Sequence, residues 1–187
     1  MDAPPPTYRR RRSGCLFPFF VLAGLAGAVA VFTPELAEGF RQPVYSARLA
    51  AMAPPDTLPV PVAGVAPGDL ADTWGAARSG GRQHQGIDIF APRGTPVVSA
   101  TEGVVQRVGE NSLGGTVVGV VGPGREWHYY AHLEAHADGL AEGQIVAEGD
   151  TLGSVGTSGN AAGTPPHLHY GIYRAGGAVN PYGRLAP

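Results

Sequence analysis

The sequence contains no lysine; its 13 residues counted as Lys or Arg are all arginine. Lysine chemistry is thereby excluded: no Schiff base, no P-loop ammonium for phosphates, no carrier lysine for a lipoyl or biotinyl group. Cysteine is nearly absent too. The single Cys15 rules out a disulfide within the chain, a CxxC redox pair and a Cys-rich zinc finger. The formal net charge is −2, with four arginines gathered at Arg9–Arg12 and the remainder acidic. That balance lacks the clustered positive face that a nucleic-acid binder needs. Chemistry is left to His, Asp, Glu, Ser, Thr, Tyr or a bound metal.

Glycine (29) and proline (18) make up a quarter of the chain, yet 43% of the residues are apolar. This combination implies a turn-rich core joined to a Pro/Ala-rich linker. After a short basic N-terminus (1–14), residues 15–32 form an uncharged run, CLFPFFVLAGLAGAVAVF. As a helix it would span roughly 27 Å, close to the ~30 Å hydrocarbon core. The arginines before it hold the N-terminus in the cytoplasm and send the rest outward. The run is longer than a usual signal-peptide core, which favours a retained anchor; Ala28-Val29-Ala30 offers a cleavage site for the alternative, an exported chain. Residues 33–56 read as a linker lifting the next domain off the membrane. Glu35 to Met52 is compatible with partial helix, broken or kinked at Pro43, and Pro54-Pro55 starts a stiff extended stretch.

From residue 57 to 187 the pattern is β. Short apolar runs recur at Pro96–Ala100, Val104–Val108, Thr116–Val121, Glu126–Leu133, Gln144–Ala147, Thr151–Val155 and His167–Tyr173, separated by Gly, Asn and Asp. Several short strands with turn signals at close spacing predict an all-β barrel or sandwich. All six histidines fall in this half. His84 and Asp88, four apart, share a face on either a strand or a helix, with Ile87 and Ile89 turned to the core. In Pro165-Pro166-His167-Leu168-His169 the prolines favour extended backbone, so His167 and His169 share one face and Leu168 and Tyr170 the other. Between them lies Trp127–Leu133, where strict alternation places His128, Tyr130 and His132 on one side. One carboxylate and two imidazoles, with a fourth position open to water, make a plausible catalytic zinc shell. Each motif alone is weak, and His128 and His136 read as structural; the three motifs in order inside one β domain carry the weight.

In that order, HxxxD, an AHL histidine and HxH resemble the lysostaphin/LytM-type zinc metallopeptidases that cleave peptidoglycan cross-links. The flanking sequence is similar too: Asp72-Thr73-Trp74-Gly75 and Arg78, then HQGIDI, APRGTPVVSA, TEGVV, GGTVV, YYAHL and the closing VAEGDTLGSVGTSGNAAGTPPHLHYGIY. The resemblance spans about Leu58 to Tyr182. It implies a compact barrel-sandwich of the duplicated hybrid motif type, with the site in a narrow groove. It implies zinc (Zn2+) held by His84, Asp88 and His169, and a catalytic pair, His132 and His167, beside it. Thr164-Pro165-Pro166 departs from the usual Gly-Pro or Thr-Gly-Pro and would reshape the groove wall.

Two functions follow as expectations. The first is a zinc-dependent endopeptidase acting on peptidoglycan peptides in the cell envelope, tethered to the cytoplasmic membrane or exported. The second is a catalytically silent relative that binds the wall or activates another hydrolase, a partner the first reading also allows. No nucleic acid is expected. A Ser-His-Asp hydrolase lacks its GxSxG elbow: Gly156-Thr157-Ser158-Gly159-Asn160 ends in Asn. The loops after Gly109 and around Asp138 are candidates for specificity, and Met52–Gly68 is long enough to reach and cover the site.

Overall fold

The computed structural model describes residues 34–186. The apolar run 15–32, and with it the choice between anchor and signal peptide, lies outside them. Among the described residues no helix is long and apolar enough to cross a membrane. The chain divides between Arg41 and Gln42 into two units, and the second holds the sheet.

Helix α1 (Pro34–Ala51) runs without interruption through Pro43, where a break or kink was expected. A proline inside a helix costs about 3 kcal/mol; packing of the turns that follow it offsets this. Leu49 is buried, and the Tyr45 hydroxyl donates to Glu102 at 2.5 Å with Arg48 3.5 Å from the same carboxylate. The segment after α1 does not cover a site. Leu58 and Val62 are buried in the core, and Val62 bridges Val97 of the sheet.

Nine strands follow: β1 (Ile87–Phe90), β2 (Pro96–Val98), β3 (Gly103–Asn111), β4 (Gly115–Val121), β5 (Trp127–His136), β6 (Ile145–Val146), β7 (Thr151–Val155), β8 (His167–Arg174) and β9 (Gly177–Val179), then the one-turn α2 (Tyr182–Leu185). The domain is mostly β, as the pattern of short apolar runs predicts. All pairings are antiparallel, in the order β1-β8-β5-β4-β3-β6, with β2 on β7, β7 on β5 and β9 on β8. The expected barrel is not closed. The path ends on β1 and on the two-residue β6, which pair with one neighbour each among the described residues.

Alternation sorts the side chains. Leu168, Tyr170 and Ile172 of β8 and Ile87 and Ile89 of β1 are fully buried in the core with Tyr130, Leu133 and Leu152. A buried side chain of this size stabilises by about 1.5–3 kcal/mol, so the register of β1 on β8 is firmly set. That register places Asp88 opposite His169 and His169 opposite Ala131 of β5. One row across three strands thus carries two polar side chains, with a small alanine leaving space beside the imidazole.

Strand β5 changes partner partway along. Trp127–Ala131 pair with β8, whereas Leu133–His136 pair with β7. The residue at the change is His132, with φ +64, one of two non-glycine residues with positive φ among those described. Against β4 the register gains one residue here, from Tyr130–Val118 to Leu133–Thr116, which is a β-bulge.

Candidate metal centre and groove

The loop before β1 shapes the first part of the site. His84 precedes the strand and does not share a regular strand face with Asp88. Its N–H and C=O bond Ala76 O and the Gly75 N–H, each at 2.9 Å, and the chain bends between it and β1. Gly86 occupies the bend. A Cβ there would lie 2.5 Å from Tyr170 O and 2.8 Å from His169 Cε1, so the imidazole fills the space that a side chain would need.

The three side chains expected as ligands come together. His84 Nε2 lies 2.7 Å from His169 Nδ1 and 3.1 Å from Asp88 Oδ1, and His169 Nδ1 lies 3.2 Å from the same oxygen. Among the described residues these form the group of His, Cys, Asp or Glu that could hold a metal ion. Tetrahedral bonds of about 2.0–2.1 Å set ligand atoms about 3.3 Å apart, so zinc is accommodated once the two imidazole nitrogens separate by about 0.6 Å, the oxygen distances already being close. The far nitrogen of His84 is also settled. Nδ1 faces Thr73 O at 2.8 Å; a carbonyl only accepts, so Nδ1 carries the proton and Nε2 points its lone pair at the cluster. Thr73 acts twice, since its Oγ1 accepts the Asp88 N–H at 3.0 Å. Arg78 binds the outer oxygen of Asp88. Burial raises the Asp88 carboxyl, but hydrogen bonds with His169 and His84 outweigh it and hold the group well below the usual carboxylate range. Burial pushes His169 down, toward the neutral form that a metal requires.

His132 and His167 flank this cluster, their ring centroids 5.1 Å apart, with His132 5.9 Å from His169. The bulge decides His132. Tyr130 and His128 are wholly buried, while Tyr129, Ala131 and His132 line the groove. Strict alternation, which placed His132 beside His128 and Tyr130, therefore fails at that residue: left-handed backbone turns it to the other face. The His132 N–H bonds Gly114 O at 2.7 Å, and its Nδ1 lies 2.9 Å from Ser158 O. His167 repeats the pattern, its Nδ1 2.8 Å from Pro165 O. Both rings thus give Nδ1–H to carbonyls and keep Nε2 free as a base. Burial lowers the His132 pKa to about 4, so it is neutral at pH 7. Ser158, considered above as a nucleophile, instead holds the corner together, its hydroxyl accepting the Thr116 N–H at 2.9 Å.

These side chains line a groove of about 870 Å³. Arg78, Arg82 and Gln83 form one wall, and Asn111, Leu113 and Asn160 belong to another part of the lining. The loop after Gly109 therefore reaches the groove, and that around Asp138 does not. His136 Nε2 lies 3.1 Å from Val117 O, and His128 is sealed in the core; both are away from the cluster, in keeping with the structural reading. Thr73 and Arg78 stood in the sequence beside the first motif, but nothing in their spacing revealed which atoms they would touch.

An open antiparallel domain that gathers two histidines, an aspartate and two further histidines in one groove defines a peptidase-type site. Residues 82–181 match the model of Peptidase family M23, and the chain belongs to that family. It is 46% identical over 124 residues to the L-Ala–D-Glu endopeptidase of Bacillus subtilis (strain 168), covering 60% of this chain and 38% of that protein. It is 34% identical over 100 residues to the peptidoglycan DD-endopeptidase ShyC of Vibrio cholerae, covering 54% and 22%. Among solved structures, the catalytic domain of the prophage-encoded M23 protein EnpA from Enterococcus faecalis superposes with a TM-score of 0.55 at 32% identity, covering 66% of this chain and 93% of that one. The chain thus matches well under half the length of these curated relatives.

Proposed function

We propose that this chain is a zinc-dependent endopeptidase that hydrolyses peptide cross-links of peptidoglycan outside the cytoplasm, anchored to the membrane or exported. The convergence of His84, Asp88, His132, His167 and His169 on one groove carries this reading. The names of the Bacillus and Vibrio relatives support the substrate class. In this reading His84 Nε2, Asp88 Oδ1 and His169 Nδ1 hold zinc. When bound, the ion supplies a Lewis acid that polarises a carbonyl and lowers the pKa of water. Thr73 fixes the His84 tautomer and the Asp88 backbone, and Arg78 binds the outer oxygen of Asp88 and so turns the carboxylate. His132 and His167 present free Nε2 atoms. Between them they accept the proton of the attacking water and deliver one to the leaving amine. The same Nε2 atoms, once protonated, stabilise the oxyanion of the tetrahedral intermediate. No residue of this constellation is missing, so nothing in the site favours a silent wall-binding relative.

The test is mass spectrometry of purified muropeptides incubated with the full chain, with and without chelator, followed by added zinc. Cleavage that a chelator stops and zinc restores is expected. No cleavage by the zinc-loaded protein, or cleavage that survives His169→Ala, would refute the proposal.

A further inference from the structure

We propose that the groove wall formed by the loop from Arg78 to Gln83 is a carboxylate-binding subsite centred on Arg82, and that the substrate is a peptide carrying a free carboxylate near the bond that is cut. The inference rests on the endopeptidase reading above and narrows its substrate. The charges of the groove carry it. Among the described lining residues the cations are Arg78 and Arg82, and the acid is Asp88. Arg78 is engaged with Asp88, which also faces His84 and His169. Arg82 has no carboxylate partner among the described residues.

Arg82 is nevertheless held in place. Its Nε donates to Ser79 O at 3.2 Å and one terminal nitrogen to Ser79 Oγ at 3.3 Å. Three of the five guanidinium N–H groups stay available, enough for a paired contact with a carboxylate. The loop that presents it is tight. The Arg78 N–H bonds Arg82 O at 2.8 Å, Ala77 bridges Gln83, and Gly80 and Gly81 close the turn with φ of 72 and 74. Such anchoring lowers the entropy lost when the arginine takes a ligand. Asn111, Leu113, Asn160 and Thr164, elsewhere in the lining, are uncharged. The positive potential is therefore one-sided and aligns an anionic peptide along the groove. A neutral peptide such as a run of glycines gains nothing from Arg82.

The experiment uses the full zinc-loaded chain and a cross-linked muropeptide in three forms: all carboxyls free, side-chain carboxyls converted to amides, and the C-terminal carboxyl converted to an amide. Cleavage is followed by mass spectrometry and binding by calorimetry. Arg82 is exposed, so the free acid should be preferred by about two- to fivefold in KM over the amide that removes the relevant carboxylate, the scale of a solvent-exposed ion pair. Whichever amide loses the preference identifies the source, side chain or C-terminus. Raising the salt from 0.1 M to 1 M should shrink the preference, as screening contracts from about 10 Å to about 3 Å. Arg82→Gln should bring the ratio close to one, and Arg82→Lys should keep part of it, which separates loss of charge from collapse of the loop. Equal cleavage of all three forms overturns the subsite and leaves the endopeptidase reading standing. Tighter binding of the free acid without cleavage keeps the subsite and overturns that reading. Absence of both binding and cleavage overturns both.

Discussion

Two polar clusters lie on opposite faces of β5, and histidines four residues apart belong to different ones. In the groove, His132 gives Nδ1–H to Ser158 O and keeps Nε2 free. In the core, His128 is wholly buried, its Nδ1 2.7 Å from the Tyr170 hydroxyl and its Nε2 without a hydrogen bond. Beside it Glu126, fully buried, takes Arg184 at 2.9 Å and Arg174 at 2.5 Å, while Arg184 also reaches Pro55 O at 2.6 Å. That second cluster joins the segment after α1 and the C-terminal turn to the sheet. Burial drives both histidines down, His128 to about 3 and His132 to about 4. Burial and a low pKa therefore do not distinguish a structural histidine from a candidate catalytic one. Access to the groove does.

The contrast can be tested from its largest expected effect downward. Asp88→Asn or a chelator should remove muropeptide cleavage by 10³-fold or more while the urea midpoint moves far less, because the core does not depend on the groove residue. His132→Ala should lower kcat by about 10²–10⁴ with zinc content unchanged, as elemental analysis would show. Unaltered kcat would remove His132 from the chemistry. Glu126→Gln should do the reverse. Removing one side of a buried ion pair costs about 3–5 kcal/mol, measured by urea unfolding, while the activity per folded molecule stays close to the parent's. Thr73→Val keeps the carbonyl that His84 Nδ1 faces and removes only Oγ1 from the Asp88 N–H; it should weaken zinc about tenfold, toward the lower end of what lost outer-shell partners cost. A cobalt(II) spectrum reads this directly, and an unchanged affinity would show that the Oγ1 contact does not tune the metal.

A separate test concerns pH. An unfolded histidine titrates near 6.5, but His128 in the folded chain stays neutral down to about 3. Between those values the unfolded chain binds the extra proton, so stability falls as pH drops through this window, by up to about 1.4 kcal/mol per unit from this one site. The contribution is fully present above pH 6.5. His128→Asn should flatten the slope of unfolding free energy against pH between 6 and 4, and an unchanged slope would show that His128 is not its source.

Much of this was legible because alternation is a local property. The seven apolar runs all became strands, and the faces of β8 and β1 follow from Leu168, Tyr170, Ile87 and Ile89 entering the core. The short strands Ile87–Phe90 and Gly177–Val179 were not among those runs, since three or four residues carry too little period to read. Pro43 misled because helix propensity is local, whereas the docking of Leu49 and Tyr45 that sustains α1 is not.

The sequence by itself determined the chemical inventory, the β class, the family motifs and the pairing of His167 with His169 on one face. Each depends on composition or on neighbours within a few residues. Only the tertiary structure decided the rest. It separated His132 from His128, because β5 changes partner at His132 and the bulge reverses that side chain. It joined Thr73 to two candidate ligands, brought Arg78 onto Asp88, and left Arg82 in the groove without an acid. Those relations depend on strand register and loop closure between residues distant in sequence, which no local pattern encodes.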